Sequence, residues 1–124
     1  VVVRTGQTGT AAVVPPELDG INCIDLIIIR PKIKKLNPHY LSFLLNSDMG
    51  KKIISSKEVG GIQKHFNIGS IKNLGIPLPP LPEQQRFAEF VQKIEKLKEK
   101  QRQSEAELQN LFNSLMQKAF NGQI

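Results

Sequence analysis

The chain has 124 residues, 40% of them apolar, which supports one modest core but not two independent ones. A single cysteine cannot form an internal disulfide, and no apolar run approaches the ~20 residues of a membrane span, so a disulfide-stapled secreted scaffold and a membrane protein are both excluded. The segment "VVVRTGQTGTAAVV" lacks the layout of a secretory signal, and a soluble cytoplasmic protein is expected.

The chain opens on "VVVRTG", already strand-like and without a methionine, so it is expected to begin partway through a domain. Three short β-branched runs follow one another: "VVVR" (1–4), "AAVV" (11–14) and "CIDLIIIR" (23–30), separated by "TGQTGT" and "PPELDG". These read as strands joined by Gly and Pro turns. Cys23, set among the isoleucines of "INCIDLIII", is expected to be a buried thiol rather than a reactive one.

From Pro38 the pattern changes. Asn37 suits an N-cap, Pro38 suits the first helical position, and Tyr40, Leu41, Leu44 and Leu45 recur at helical spacing. A second short helix is predicted from about Asp48 to Ser55. "SSKEVGGIQKHFNIGSIKNLGIPLP" then reads as a loop, a short turn of helix near Ser70 to Leu74, and a last strand near Gly75 to Leu78. The fold class is therefore α+β, with a first part at 1–80 and a helical part at 81–124.

After Pro82 neither proline nor glycine recurs until Gly122, and the composition favours helix. Pro82 fits the first turn, and Glu83 puts negative charge at the positive end of the helix dipole. Phe87, Phe90, Ile94, Leu97, Gln101, Ser104, Leu108, Leu111 and Leu115 follow alternating steps of three and four, a seam that is polar only at its centre. Packing on the chain's own domain accounts for the first turns of such a stripe but not for the distal ones. An antiparallel coiled coil is expected, with a second copy or with a similar helix elsewhere in a longer protein. The flanking sites carry Lys93, Lys98 and Lys100 before the centre and Glu105 and Glu107 after it. An antiparallel partner crossing near Gln101 sets Lys98 near Glu105 and Lys93 near Glu107, whereas a parallel one sets Lys93 against Lys98.

Charge divides unevenly along the chain. Residues 1–80 carry ten Lys or Arg against five Asp or Glu, and residues 81–124 carry seven against six. A basic globular part joined to a nearly neutral helix points to a polyanion binder with a separate handle for protein contact; a basic domain without nucleic-acid function has the same composition. Enzyme motifs are not evident. "RTGQTGTA" lacks the Gly-Lys-Ser/Thr ending of a phosphate loop, His39 and His65 lack the companions of a zinc site, and Glu17, Asp19, Asp25, Asp48 and Glu58 form no pair beside a base or nucleophile. No catalytic residue and no metal site is expected.

The stretch "GIPLPPLPEQQRFAEFVQKIEKL", followed by "LFNSLMQKAFNGQI", resembles the end of a recognition half in the specificity subunits of type I restriction-modification systems. The earlier segments are similar, in the expected order, to the second part of a target recognition domain. That resemblance implies two recognition domains per subunit, each reading one half of a split site on double-stranded DNA, held apart by antiparallel helices. It implies a non-catalytic subunit that positions methyltransferase subunits and, through them, a restriction subunit. S-adenosylmethionine, Mg and ATP are then expected only on those partners. A homodimer through the C-terminal helix is expected when the chain is isolated.

Two loops are the candidates for DNA contact. In the first, Arg4 suits phosphate or guanine, and Thr5, Gln7 and Thr8 suit base edges or phosphate. In the second, Lys57, Lys64 and His65 suit phosphates and Gln63 suits adenine. A plain hairpin turn and a solvated surface loop are the alternatives for the two, and Lys32, Lys34 and Lys35 read as a solvated cluster. Two further readings compete: a coiled-coil adaptor without a DNA role, and the recognition module of a fused restriction-methylation enzyme.

Overall fold

Asn37 starts the first helix for local reasons. Its Oδ1 accepts the Tyr40 N–H at 3.1 Å, and Pro38 follows with φ preset for a helix and no N–H to leave unpaired. This helix, α1 (Pro38–Asn46), ends at Ser47, whose hydroxyl caps α2 (Asp48–Ser55) by accepting the Gly50 N–H at 3.1 Å. The two helices meet closely at Gly50, where any side chain would overlap the Leu44 carbonyl and the Leu45 backbone. Both helices lie where the sequence places them.

The computed structural model describes residues 1–57 and 66–123. Its elements run β1 (Val2–Val3), a 3-10 turn at Pro16–Leu18, β2 (Leu26–Ile27), α1, α2, α3 (Ile68–Lys72) and α4 (Leu81–Phe120). β1 and β2 pair antiparallel, Val2 opposite Ile27 and Val3 opposite Leu26. Val2, Ala11, Ile27, Leu45, Ile54 and Phe66 form the core between this pair and the two helices. The fold is α+β, as the sequence predicts, but its β part is smaller than expected.

Three predicted strands contract or vanish, each for an identifiable reason. In 11–14 pairing is confined to Ala11, which bridges to Val2, and Ala12, whose N–H donates to Val1 O at 3.0 Å; the outer edge of Ala11 is taken by α1. The Ala11 N–H donates to Asn46 Oδ1 at 2.8 Å, while Asn46 Nδ2 and Ser42 Oγ donate to the Ala11 carbonyl at 2.7 and 3.2 Å. A side-chain amide from α1 thus stands where a partner strand would. The run 23–30 is broken by Asp25, held at φ 58°, with its carbonyl accepting the Arg4 N–H at 3.0 Å. Residues before that turn leave the sheet, so Cys23 is exposed rather than buried. Residues 75–78 form no strand: Pro77, Pro79 and Pro80 each remove a donor, so no regular ladder can run through the segment.

That proline segment is held from outside by donors. The Tyr40 hydroxyl donates to the Pro77 carbonyl at 2.8 Å, and Gln84 Nε2 donates to Pro79 O at 2.8 Å and Lys35 O at 3.0 Å. Gln84 Oε1 accepts the Asn37 N–H at 2.8 Å, and Asn37 Nδ2 donates to Gln85 Oε1 at 2.6 Å. The orientation of the Gln84 amide is fixed by chemistry: two carbonyls can only accept and one peptide N–H can only donate. Gln84 is fully buried, and the Tyr40 ring meets Phe87 edge-on with centroids 5.8 Å apart.

The chain divides into two compact units, Val1–Ala88 and Glu89–Ile124, so the first two turns of α4 belong to the first unit. Gln84 and Ala88 are the buried residues of α4. In the second unit none of the described side chains is buried. Short ion pairs tie neighbouring turns there, Lys98 to Glu95 at 3.5 Å and Arg102 to Glu99 at 3.7 Å. Both are exposed and contribute only ~0.2–0.5 kcal/mol each.

Two measurements check this packing. Gln84→Leu keeps the volume but strands the Asn37 N–H and two carbonyls, and should lower stability by about 2–4 kcal/mol in urea unfolding followed by tyrosine fluorescence. A loss under about 0.5 kcal/mol would show that the clamp contributes little. Burial also raises the Tyr40 phenol above its ordinary value of 10.0. The neutral form is the one the fold holds, so this stabilisation is complete below pH ~10 and is lost as pH rises through the folded value. Tyr40 is the one tyrosine and tryptophan is absent, so near-ultraviolet absorbance isolates its ionisation. The titration midpoint should lie above that of the chain unfolded in denaturant.

Candidate nucleic-acid interface

The loop after β1 closes on its own backbone. The Val3 N–H donates to Thr10 O and the Gly9 N–H to Val3 O, each at 2.9 Å, and the Thr10 N–H donates to Gln7 O at 3.2 Å. Gly6 and Gly9 both sit at φ +85°, a conformation costly for residues with a Cβ. The "TGQTG" composition is therefore required by the turn. The base of the loop is tied on both sides, with Arg4 donating its N–H to Asp25 O and accepting the Phe66 N–H at 3.1 Å.

This geometry separates residues that the sequence groups together. Gln7 and Thr8 line a cleft of about 490 Å³ together with Thr10, Asn46 and Lys51. Arg4 instead lines a second cleft, of about 860 Å³, together with Arg30 and Lys72. Thr5 is half-buried and lines neither. Lys57 is exposed just past α2, its carbonyl accepting the Ser70 hydroxyl at 3.2 Å. Gln63, Lys64 and His65 lie outside the described residues.

Lys51, Arg30 and Lys72 are the cationic residues that sequence reasoning misses. Lys51 is 44 positions from Gln7, and only the corner at Ser47 turns α2 toward the glycine loop. No local signal marks it. Arg30 reads as the end of a strand and Lys72 as part of the short helical turn near Ser70 to Leu74.

The helix-pairing candidates in α4 are exposed with the exception of Ile94. Phe87, Phe90, Leu97, Leu108, Leu111 and Leu115 are all exposed, Leu108 at 67%, and so are Gln101 and Ser104 at the polar centre, while Ile94 is half-buried. Phe112 at 57% and Met116 at 39% are exposed as well, so the apolar face widens beyond the alternating seam toward the helix end.

The sequence profile of the type I restriction modification DNA specificity domain matches residues 4–110, across the glycine loop, the clamp and most of α4. The chain belongs to this family. It is 30% identical over 93 residues to the type I restriction enzyme MjaVIII specificity subunit of Methanocaldococcus jannaschii, covering 75% of this chain and 22% of that protein. It is 26% identical over 129 aligned positions to the type I restriction enzyme EcoBI specificity subunit of Escherichia coli, covering 99% of this chain and 27% of that protein. The chain thus spans about a quarter or less of the length of the curated relatives it matches. No solved structure matches it at the same stringency.

Within this specificity domain the glycine loop gives a direct test. At Gly6 nothing lies near an added Cβ, so Gly6→Ala should cost only the left-handed penalty of about 1–2 kcal/mol. At Gly9 the same methyl would overlap the fully buried Ile54 side chain, and Gly9→Ala should cost about 2–4 kcal/mol. Thermal unfolding of the two variants side by side checks the order; equal losses would contradict the placement of Gly9 over Ile54.

Proposed function

We propose that this chain acts as a DNA sequence-recognition element of a type I restriction-modification system. The first unit contacts one half of a split duplex site, and the second unit is the spacer that pairs antiparallel with a second copy or an equivalent helix. The chain carries out no chemical step itself. It holds a methyltransferase subunit, which supplies S-adenosylmethionine chemistry, and through it a restriction subunit that uses Mg and ATP.

The observation that carries this reading is the family match over residues 4–110, which covers nearly all of the basic first unit and the helical stripe as far as Leu108. Electrostatics supports it: cations line both clefts of the loop region, and no described carboxylate lines either. The helix supports it too. Burying an exposed Leu or Phe yields ~1.5–3 kcal/mol, and the seam offers several. The charges flanking Gln101 favour the antiparallel direction, though each exposed pair contributes only ~0.2–1 kcal/mol.

Co-expression with the neighbouring methyltransferase subunit tests the reading. The two should purify together, and adenine methylation should appear at one bipartite sequence only when this chain is present. The same methylation pattern without the chain would reject it. For the helix, light scattering should give twice the 13.9 kDa chain mass at high concentration, and Leu108→Lys combined with Leu111→Lys should return the monomer. A monomer throughout would reject pairing between copies.

A further inference from the structure

The second cleft holds an arrangement that the loop-based assignment did not contain. Three separated segments bring Arg4, Arg30 and Lys72 to its walls: the start of the glycine loop, the residues after β2, and the last turn of α3. All three are exposed, and none makes an ion pair with any described residue. Glu17, Asp19, Asp25 and Asp48, the described acids of the first unit's first eighty residues, do not line the cleft. Its remaining surface is mainly aliphatic, from Leu26 to Ile29 with Ile68 and Ile71.

Three cations with no ion-pair partner among the described residues, over an apolar floor, repel one another, and low-dielectric walls focus their field into the open space. An anion in that space relieves the repulsion. The three do not surround a single point from buried positions, as they would to enclose a small anion. They stand exposed on the walls of an open cleft, which suits a backbone presenting successive phosphates.

We infer that Arg4, Arg30 and Lys72 form a phosphate track for duplex DNA, so that this cleft positions the duplex while Gln7 and Thr8, on the other cleft, face a different part of it. The inference rests on the DNA reading above and adds two residues, Arg30 and Lys72, to the interface. Phosphate contacts set affinity and register without carrying sequence information.

The test uses the 124-residue protein and a fluorescent duplex of random sequence, titrated across salt concentrations. Arg30→Ala with Lys72→Ala should weaken binding on the order of tenfold or more and reduce the salt slope by about 1.8, at ~0.9 per phosphate contact. Arg30→Lys with Lys72→Arg should bind as the parent does. Lys32→Ala with Lys34→Ala removes the same charge elsewhere and should change the slope by less than half as much. Unchanged melting curves establish that the variants are folded. A parent-like slope for the Arg30/Lys72 pair, or an equal loss for the Lys32/Lys34 pair, overturns the track while leaving the DNA reading intact. Absence of salt-dependent duplex binding by the parent at low salt overturns both.

Discussion

One buried amide organises the first unit. Gln84 makes three hydrogen bonds from a position with no solvent access, to Asn37, Lys35 and Pro79. Each partner belongs to a different segment: the entry to α1, the lysine-rich turn, and the proline run. Burying that amide unpaired would be costly, so the three segments and the first turns of α4 hold their places together. The prolines take a specific part in this. Pro77, Pro79 and Pro80 have carbonyls but no N–H groups, so these three can only accept, and they accept from Tyr40, Gln84 and the first peptide groups of α4. A chain that cannot form a ladder is thereby pinned in extended form and delivered to a helix start, where the missing N–H of Pro82 costs nothing.

The second unit presents the opposite situation. Its helix is stabilised internally by propensity and by exposed ion pairs, which are weak, while its apolar residues face solvent. Helices with such a stripe are stable when the stripe is covered. The charge pattern around Gln101 gives the proposed cover its direction. The widening of the apolar face at Phe112 and Met116 shows that the distal end offers more surface than a strict two-stranded seam uses.

What can be read from the sequence is what local chemistry determines. Asn37 and Pro38 announce α1, α2 is placed at Asp48 to Ser55, and the proline boundary followed by a long helix-favouring run announces α4. The strands are overestimated because a β-branched run cannot tell whether its peptide groups will find a strand, a side-chain amide such as Asn46, or a left-handed turn such as Asp25. Cys23 is misplaced for the same reason: its neighbours are largely apolar, but the turn at Asp25 removes them from the sheet. The candidate site is legible only in part. The glycine loop is visible as a loop, but its division between two clefts depends on distant residues in the chain, Arg30, Lys51 and Lys72. Gln84 looks like an ordinary polar residue in a first helical turn, and only burial reveals its role.

The central claim is that a clamped recognition unit carries a helix that pairs antiparallel with its like. Spin labels read this most directly, placed singly at Lys93→Cys or Gln103→Cys after the exposed native thiol is removed by Cys23→Ser. In an antiparallel pair crossing near Gln101, labels at 103 lie close together while labels at 93 are farther apart by about 20 Å along the axis, at ~1.5 Å per residue. The account predicts that gradient. Equal separations at both positions, or no dipolar coupling at either, would contradict it.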